Sequence, residues 1–313
     1  MFGNWPAPEF TLNPADVLLA CCQLTLLPYN GAVAMDCLPS YFNFYARAIK
    51  TLLDRGLVNR SMRVLVVCGG ENDRRVFQQF GFTDVTISNL DSRMTEGSFA
   101  PYHWSFQDAE SLAFPDGSFD LAVVCAGLHH CHSPHRALLE VYRVARCCAL
   151  AVEARDGLLS RLAVRLGVAE EYELAAVVGN DYQFGGVKNT SIPNYVYRWT
   201  EREVLKTIAS YAPHARPRVM WFHEFNPPVE ILRARKSLRG LLILYAAYPA
   251  LWLITRVFKS QCNFFGFAVL KPEFPRDQFP WVRLEDDRPA INVEWARARF
   301  KTPNHRILSP GAR

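Results

Sequence analysis

Apolar residues first settle into a clear rhythm at Tyr41, Phe42, Tyr45, Ala46, Ile49, Leu52 and Leu53. That spacing predicts a helix over 38–57, ending near Gly56. The rhythm then changes. Arg63 to Cys68 is a short, nearly all-apolar run that stops at Gly69-Gly70. Such a run suits a strand buried on both faces of a parallel sheet. A helical stretch over 73–80 follows, closed by Gly81, and then a second strand over 84–91. Residues 121–126 read as another strand, 135–145 as a helix and 149–153 as a strand. Strands alternating with helices of this length mean βαβ units and a doubly wound α/β sheet. Further on, Thr200 to Glu203 form a capping box that opens a helix to Tyr211. Val219–Phe225 and Phe264–Leu270 look like two late strands. Residues 1–35 are weakly periodic, with Val17 to Cys22 read as a core helix. Residues 272–313 are polar and Pro-rich, with no strong period beyond Val293–Phe300.

Composition narrows the class. Half of the 313 residues are hydrophobic, which excludes a disordered tail and supplies a sizeable core. The formal charge is +5. Residues 229–260 hold six basic side chains (Arg233, Arg235, Lys236, Arg239, Arg256, Lys259) and one acidic one (Glu230), so the whole excess lies there. A general nucleic-acid binder usually spreads basic residues over a face; this distribution argues against that class. The nine cysteines are odd in number and none has C-x-x-C spacing. With no basic residue before Arg47 to begin an export signal, the expectation is a cytoplasmic protein whose cysteines are mostly small buried hydrophobes.

In doubly wound sheets, ligands bind outside the carboxyl ends of the strands. Here the first such end is Cys68-Gly69-Gly70, and the second carries Asp91. Glycines let a backbone approach a ligand closely, and a carboxylate at the second strand suits ribose hydroxyls. A nicotinamide oxidoreductase would use the same parts, but the G-x-G-x-x-G spacing is missing.

The next stretch separates these readings. Gln107-Asp108-Ala109-Glu110-Ser111-Leu112-Ala113-Phe114-Pro115-Asp116-Gly117-Ser118-Phe119-Asp120 runs into strand 121–126 and on to Gly127-Leu128-His129-His130. Over about residues 60–155 the chain resembles the class I S-adenosylmethionine-dependent methyltransferases, in the branch with a D-A-E-x-L-x-F-x-D-x-S-F-D stretch. The resemblance implies a mostly parallel seven-stranded Rossmann-like sheet with helices on both faces. It implies S-adenosylmethionine as cofactor, with Cys68, Gly69 and Gly70 beneath it, Asp91 on the ribose, Asp108 and the Ala109 N–H on the adenine, and Cys125 to Leu128 as the floor. The family often has an acid where Val66 stands and glycines where Cys68 and Asn72 stand. Those departures keep a non-catalytic member of the fold as the alternative.

His129 and His130 are candidate general bases, since imidazole titrates near neutrality. His129, His130, Cys131, His132 and His135 are metal-ligand types, but adjacent histidines do not readily face one ion, so no metal is expected. Asp156, after the fifth strand, is a third candidate catalytic group, and Glu153 beside it a candidate acceptor contact. Residues 185–199 combine Gly-Gly with Asn194, Tyr195, Tyr197, Arg198 and Trp199. Alternating aromatics on one strand face, with Arg nearby, suit a sugar or conjugated ring. Glu171 or Glu173 could pair with Arg198.

Between Arg239 and Arg256 lies an uncharged apolar run interrupted by Pro249. It is short for a membrane span. It reads as a buried helix or lid, as an interfacial helix on an anionic membrane, or as a dimer contact. The expected organisation is a helical extension over 1–59, a methyltransferase-like domain over 60–271 with an insertion at 229–260, and a polar tail over 272–313. The expected function is methyl transfer to a small-molecule, sugar or glycan acceptor at oxygen. The membrane reading favours a lipid-linked or isoprenoid acceptor instead.

Overall fold

A computed structural model describes residues 39–234, 236–286 and 288–300. The predicted core helix at 17–22 lies outside them. Seven strands form one sheet in the order β3-β2-β1-β4-β5-β7-β6. They are β1 (Val64–Val67), β2 (Val85–Asn89), β3 (His103–Phe106), β4 (Phe119–Cys125), β5 (Ala145–Ala154), β6 (Arg218–Glu224) and β7 (Phe264–Leu270). β1 to β5 run parallel, and β7 enters antiparallel between β5 and β6. This is the doubly wound architecture expected, with its order reversing between β1 and β4.

The near-continuous apolar runs have a direct physical cause. Successive strand side chains point to opposite faces, and both faces are covered. Val64, Val66, Val85, Ile87, Leu121, Val123, Leu150 and Val152 pack on one side, against α1 (Ser40–Asp54) and α2 (Glu71–Phe80). Leu65, Val67, Ala122, Val124, Ala149 and Ala151 pack on the other, against α3 (Pro134–Val144) and α6 (Glu201–Tyr211). Between those helices come α4 (Leu158–Arg165) and α5 (Leu174–Val178). Through Phe42, Tyr45, Ile49 and Leu52, α1 belongs to the same core as the sheet.

Local signals end the helices where the sequence places them. Gly81 adopts the left-handed conformation (φ 73°) that closes α2, a geometry glycine reaches without a Cβ penalty. Thr200 and Glu203 form the reciprocal capping box of α6. Ser133 caps α3, with Pro134 at its first position.

Three segments depart from the expectation. β3 carries no apolar run because it is a short edge strand whose residues are exposed or half-buried. The tail holds an unexpected hairpin, β8 (Val282–Glu285) with β9 (Arg288–Ile291), before a helix α9 (Val293–Phe300) on the one period read there. The insertion between β6 and β7 forms α7 (Val229–Ala234) and α8 (Leu238–Val257). Of the three readings for it, the buried helix fails. Only Leu244 and Thr255 of α8 are buried, and Leu238, Leu242 and Ile243 are each 70% exposed or more.

Candidate functional site

Strand order reverses between β1 and β4, and in doubly wound sheets ligands bind outside the carboxyl ends at such a point. On the β1 side, Cys68 sits in the left-handed region (φ 54°), as does Ala126 (φ 51°) after β4. That conformation costs a non-glycine residue about 1–2 kcal/mol, so each is held by its surroundings. The two turns touch: a Cβ on Gly127 would lie 2.5 Å from the Cβ of Cys68. Gly70, by contrast, has open space where a side chain would stand. Asn89 ties the loop to β2 by donating Nδ2 to the Gly69 carbonyl at 2.7 Å. Asp73 accepts the Gly70 N–H at 2.9 Å. Burial pushes the Asp73 carboxyl up to about 7, with the Gly70 hydrogen bond opposing.

Of the carboxylates assigned to the cofactor, Asp91 follows β2 and Asp108 follows β3, and both are engaged by cations. Arg93 forks onto Asp91 at 2.8 and 2.7 Å. Lys188 reaches Asp108 at 2.7 and 2.5 Å and Glu110 at 2.6 Å. Burial raises the Asp91 and Asp108 carboxyls, but these cations hold both below the usual range. The loop carrying Lys188 lies across the strand ends. Phe184 packs under Arg93, with its ring centroid 4.2 Å from the guanidinium carbon, and Asn189 donates to the Leu90 carbonyl. Ala109 is buried beside Asp108. Glu110 anchors the turn after β4 by accepting the N–H groups of His132 and Ser133. Cys125 is buried at the floor.

Glu153 is corrected. It does not face an open acceptor site: it is fully buried and accepts the N–H groups of Gly127 and Leu128 at 2.9 and 2.7 Å. Its second oxygen lies 2.6 Å from His129 Nδ1. On the other side of that ring, Nε2 is 3.2 Å from Glu173. Burial alone would depress the His129 imidazolium, but Glu153 and Glu173 more than offset it and hold its pKa at about 10. Its two carboxylates thus favour the charged ring, which runs against the general-base role expected of His129. His130 is pushed below its usual value by burial and by the neighbouring imidazolium. It is the neutral imidazole of the pair, about a quarter exposed.

Glu173 is the residue sequence reasoning did not bring to this cluster. It also receives Asn194 Nδ2 at 3.2 Å and lies 3.3 Å from His130 Nε2. Both adjacent histidines thus do face one oxygen. The three ligand atoms lie within 4.8 Å of one another, a spacing that suits a metal ion. A proton on His129, favoured by Glu153 and Glu173, would compete with an ion for this cluster. The expected pairing of Glu171 or Glu173 with Arg198 is replaced by hydrogen bonds from Arg198 to the Val196 and Glu170 carbonyls.

The remaining predicted residues gather elsewhere. Asp156, Tyr195, Tyr197 and Arg198 line a cavity of about 460 Å³. Asp156 is forked by Arg161 at 2.9 and 2.5 Å. The supposed aromatic platform is broken up. Trp199 is fully buried, with Tyr197 against it at 5.2 Å, and Tyr195 pairs with Tyr172.

A glycine loop at the reversal point, with acidic groups after β2 and β3, is the arrangement implied by the resemblance to class I S-adenosylmethionine-dependent methyltransferases. Residues 65–147 match the family described as methyltransferase domain. Among characterised relatives, the demethylmenaquinone methyltransferase of Chlamydia muridarum is 29% identical over 97 residues, 29% of this chain and 42% of that protein. The chain therefore matches less than half the length of that relative. Two solved structures overlap more of the chain at low identity. The YcgJ protein of Bacillus subtilis is 16% identical, covering 72% of this chain and 99% of its own, at a TM-score of 0.44. The magnesium protoporphyrin IX methyltransferase of Synechocystis is 12% identical, covering 78% and 90%, at a TM-score of 0.44.

Proposed function

We propose that the protein transfers a methyl group from S-adenosylmethionine to an oxygen of a small-molecule acceptor, in the cytoplasm. The observation carrying this reading is the joint placement of Asp91 and Asp108 after the adjacent strands β2 and β3, next in the sheet to β1 and its open backbone at Gly70. The donor chemistry fits the cofactor: two carboxylates for a ribose diol and an adenine amino group, and a loop without side-chain bulk at Gly70. The fit requires Arg93 and Lys188 to turn aside. Bound S-adenosylmethionine supplies a methyl group on a sulfonium, already activated for transfer.

The chain's own groups have the remaining work. Methyl transfer to oxygen needs the acceptor aligned and, for a hydroxyl, a proton removed. His130 takes that proton, because it is neutral and reachable while His129 is locked between carboxylates. His129, Glu153 and Glu173 position His130, whose ring lies 4.7 Å from that of His129.

Calorimetry with S-adenosylhomocysteine tests the reading. Micromolar binding that is lost in Asp91→Ala supports it, and no binding at millimolar ligand sinks it. A second reading, a non-catalytic binding protein of this fold, draws on the strained Cys68 and on the engaged Asp108. Binding without turnover in an acceptor screen favours that one.

A further inference from the structure

The chain leaves the sheet at Glu224 and returns at Phe264, and these two residues are register partners. Phe264 also pairs with Ala154 at the carboxyl end of β5. The α7–α8 excursion therefore rises from the same rim as the glycine loop. Its foot is clamped there. Arg155 donates to the carbonyls of Ser260 and Asp156 and pairs with Glu201, while Gln261 accepts the Leu159 N–H.

The excursion is apolar and uncovered. α8 has 20 residues, is long and apolar enough to cross a membrane by length and composition, and is 11% buried over its most apolar window. Leu242, Ile243, Tyr245, Trp252, Leu253 and Val257 stand exposed. An isolated helix that is apolar all round belongs in a core or in lipid, and a patch this large marks an interaction surface. Charge says which surface. Arg233, Lys236 and Arg239 mark its start, Arg256 and Lys259 its end, and no charge lies between.

We propose that α8 seats in an anionic lipid leaflet, lying in its plane, and holds the carboxyl-end rim of the sheet against that surface. The in-plane orientation follows from the anchorage. Both ends of the excursion start from one pair of register partners, so a span would drag one cationic end and the polar segment 225–237 through hydrocarbon. Lying flat, both cationic ends reach headgroups, and Tyr245, Tyr248 and Trp252 sit at the depth aromatic residues favour. Pro249, which frees a backbone carbonyl inside the helix, is tolerated where water still reaches.

Flotation of the full chain with vesicles tests this, independently of cofactor binding or turnover. The chain floats with phosphatidylcholine vesicles containing phosphatidylglycerol, and roughly tenfold less with phosphatidylcholine alone or at high salt. Leu242→Glu combined with Trp252→Glu abolishes flotation while calorimetric binding of S-adenosylhomocysteine is unchanged. Should that variant misfold, brominated lipids give a second readout on the unmodified chain, with shallow bromines quenching tryptophan more than deep ones. Wild-type protein that stays at the bottom of the gradient overturns the proposal. So does equal flotation on neutral lipid, dominant deep quenching, or a dimer in solution that the double variant converts to monomer, which would assign the face to a second copy.

Discussion

Lys188 places its ammonium on the Asp108 carboxylate, at 2.7 and 2.5 Å from its two oxygens. An adenine amino group would need that same carboxylate. The pair is partly solvated, so its net worth is modest. Its backbone is also unusual: Lys188 and Asn189 are both left-handed, at φ 52° and 57°. Left-handed non-glycine residues cost energy and persist where neighbours over-determine them. Replacing Lys188 with Ala should tighten S-adenosylhomocysteine binding by roughly threefold to tenfold in calorimetry. Weaker binding would mean that Lys188 helps hold the ligand.

Gly186 tests the same loop from the backbone. A Cβ there would lie 1.9 Å from the Ile192 carbonyl oxygen, so Gly186→Ala must open the loop. The expected result is faster limited proteolysis within 180–192, with the thermal transition of the sheet little changed. Proteolysis no faster than wild type would show that the loop absorbs the clash.

The buried imidazolium predicts a pH profile. The folded pKa of His129, about 10 against 6.5, adds stability that is fully present below about 6.5 and lost as pH rises through about 10. Glu173, at about 2 against 4.5, adds stability present above about 4.5 and lost as pH falls through about 2. These groups together favour the folded state most between the two unfolded values. Urea midpoints of the wild type should fall between about pH 6 and about pH 9 more steeply than those of Glu173→Gln. Parallel slopes would contradict this account.

Asp73 works in the opposite direction. Its folded pKa of about 7 exceeds 3.8, so stability declines as pH rises between those values. Asp73→Asn keeps an oxygen for the Gly70 N–H and removes that decline. The variant should gain roughly 1–3 kcal/mol over wild type at pH 8 and less at pH 5. An equal change at both pH values would mean that ionisation is not the cause.

Metal removal should leave turnover unaltered. A metal at His129, His130 and Glu173 must displace a proton held with a pKa of about 10. At pH 7 that costs roughly a thousandfold in affinity. Loss of activity on dialysis against a chelator, restored by a divalent ion, would replace the imidazolium with a metal centre.

The strands buried on both faces were legible because every residue of β1, and of β4 from Leu121 on, points into a packed layer, leaving unbroken apolar runs. β3 was not, since Trp104 and Ser105 are only half-buried and the edge needs no such run. Asp91 was legible as an acid at a strand end, and Asp108 only through the D-A-E stretch that carries the family resemblance. Their cationic partners were not, because a pairing between Lys188 and Asp108 depends on how a loop without periodicity crosses the crevice. Glu153 offered an overlooked signal. An acid closing an apolar strand is buried, and a buried carboxylate requires a partner, which adjacent His129 supplies. The exposure of α8 could not be read from its sequence, because an apolar run records what a helix avoids and not what covers it.

The common origin of α8 and the reaction crevice on one rim has a kinetic consequence. A chain held to a lipid surface meets a membrane-dissolved acceptor by diffusion in two dimensions. Turnover on such an acceptor then follows its mole fraction in the bilayer. Adding inert anionic lipid at fixed total acceptor should slow the reaction, although the bulk concentration has not changed.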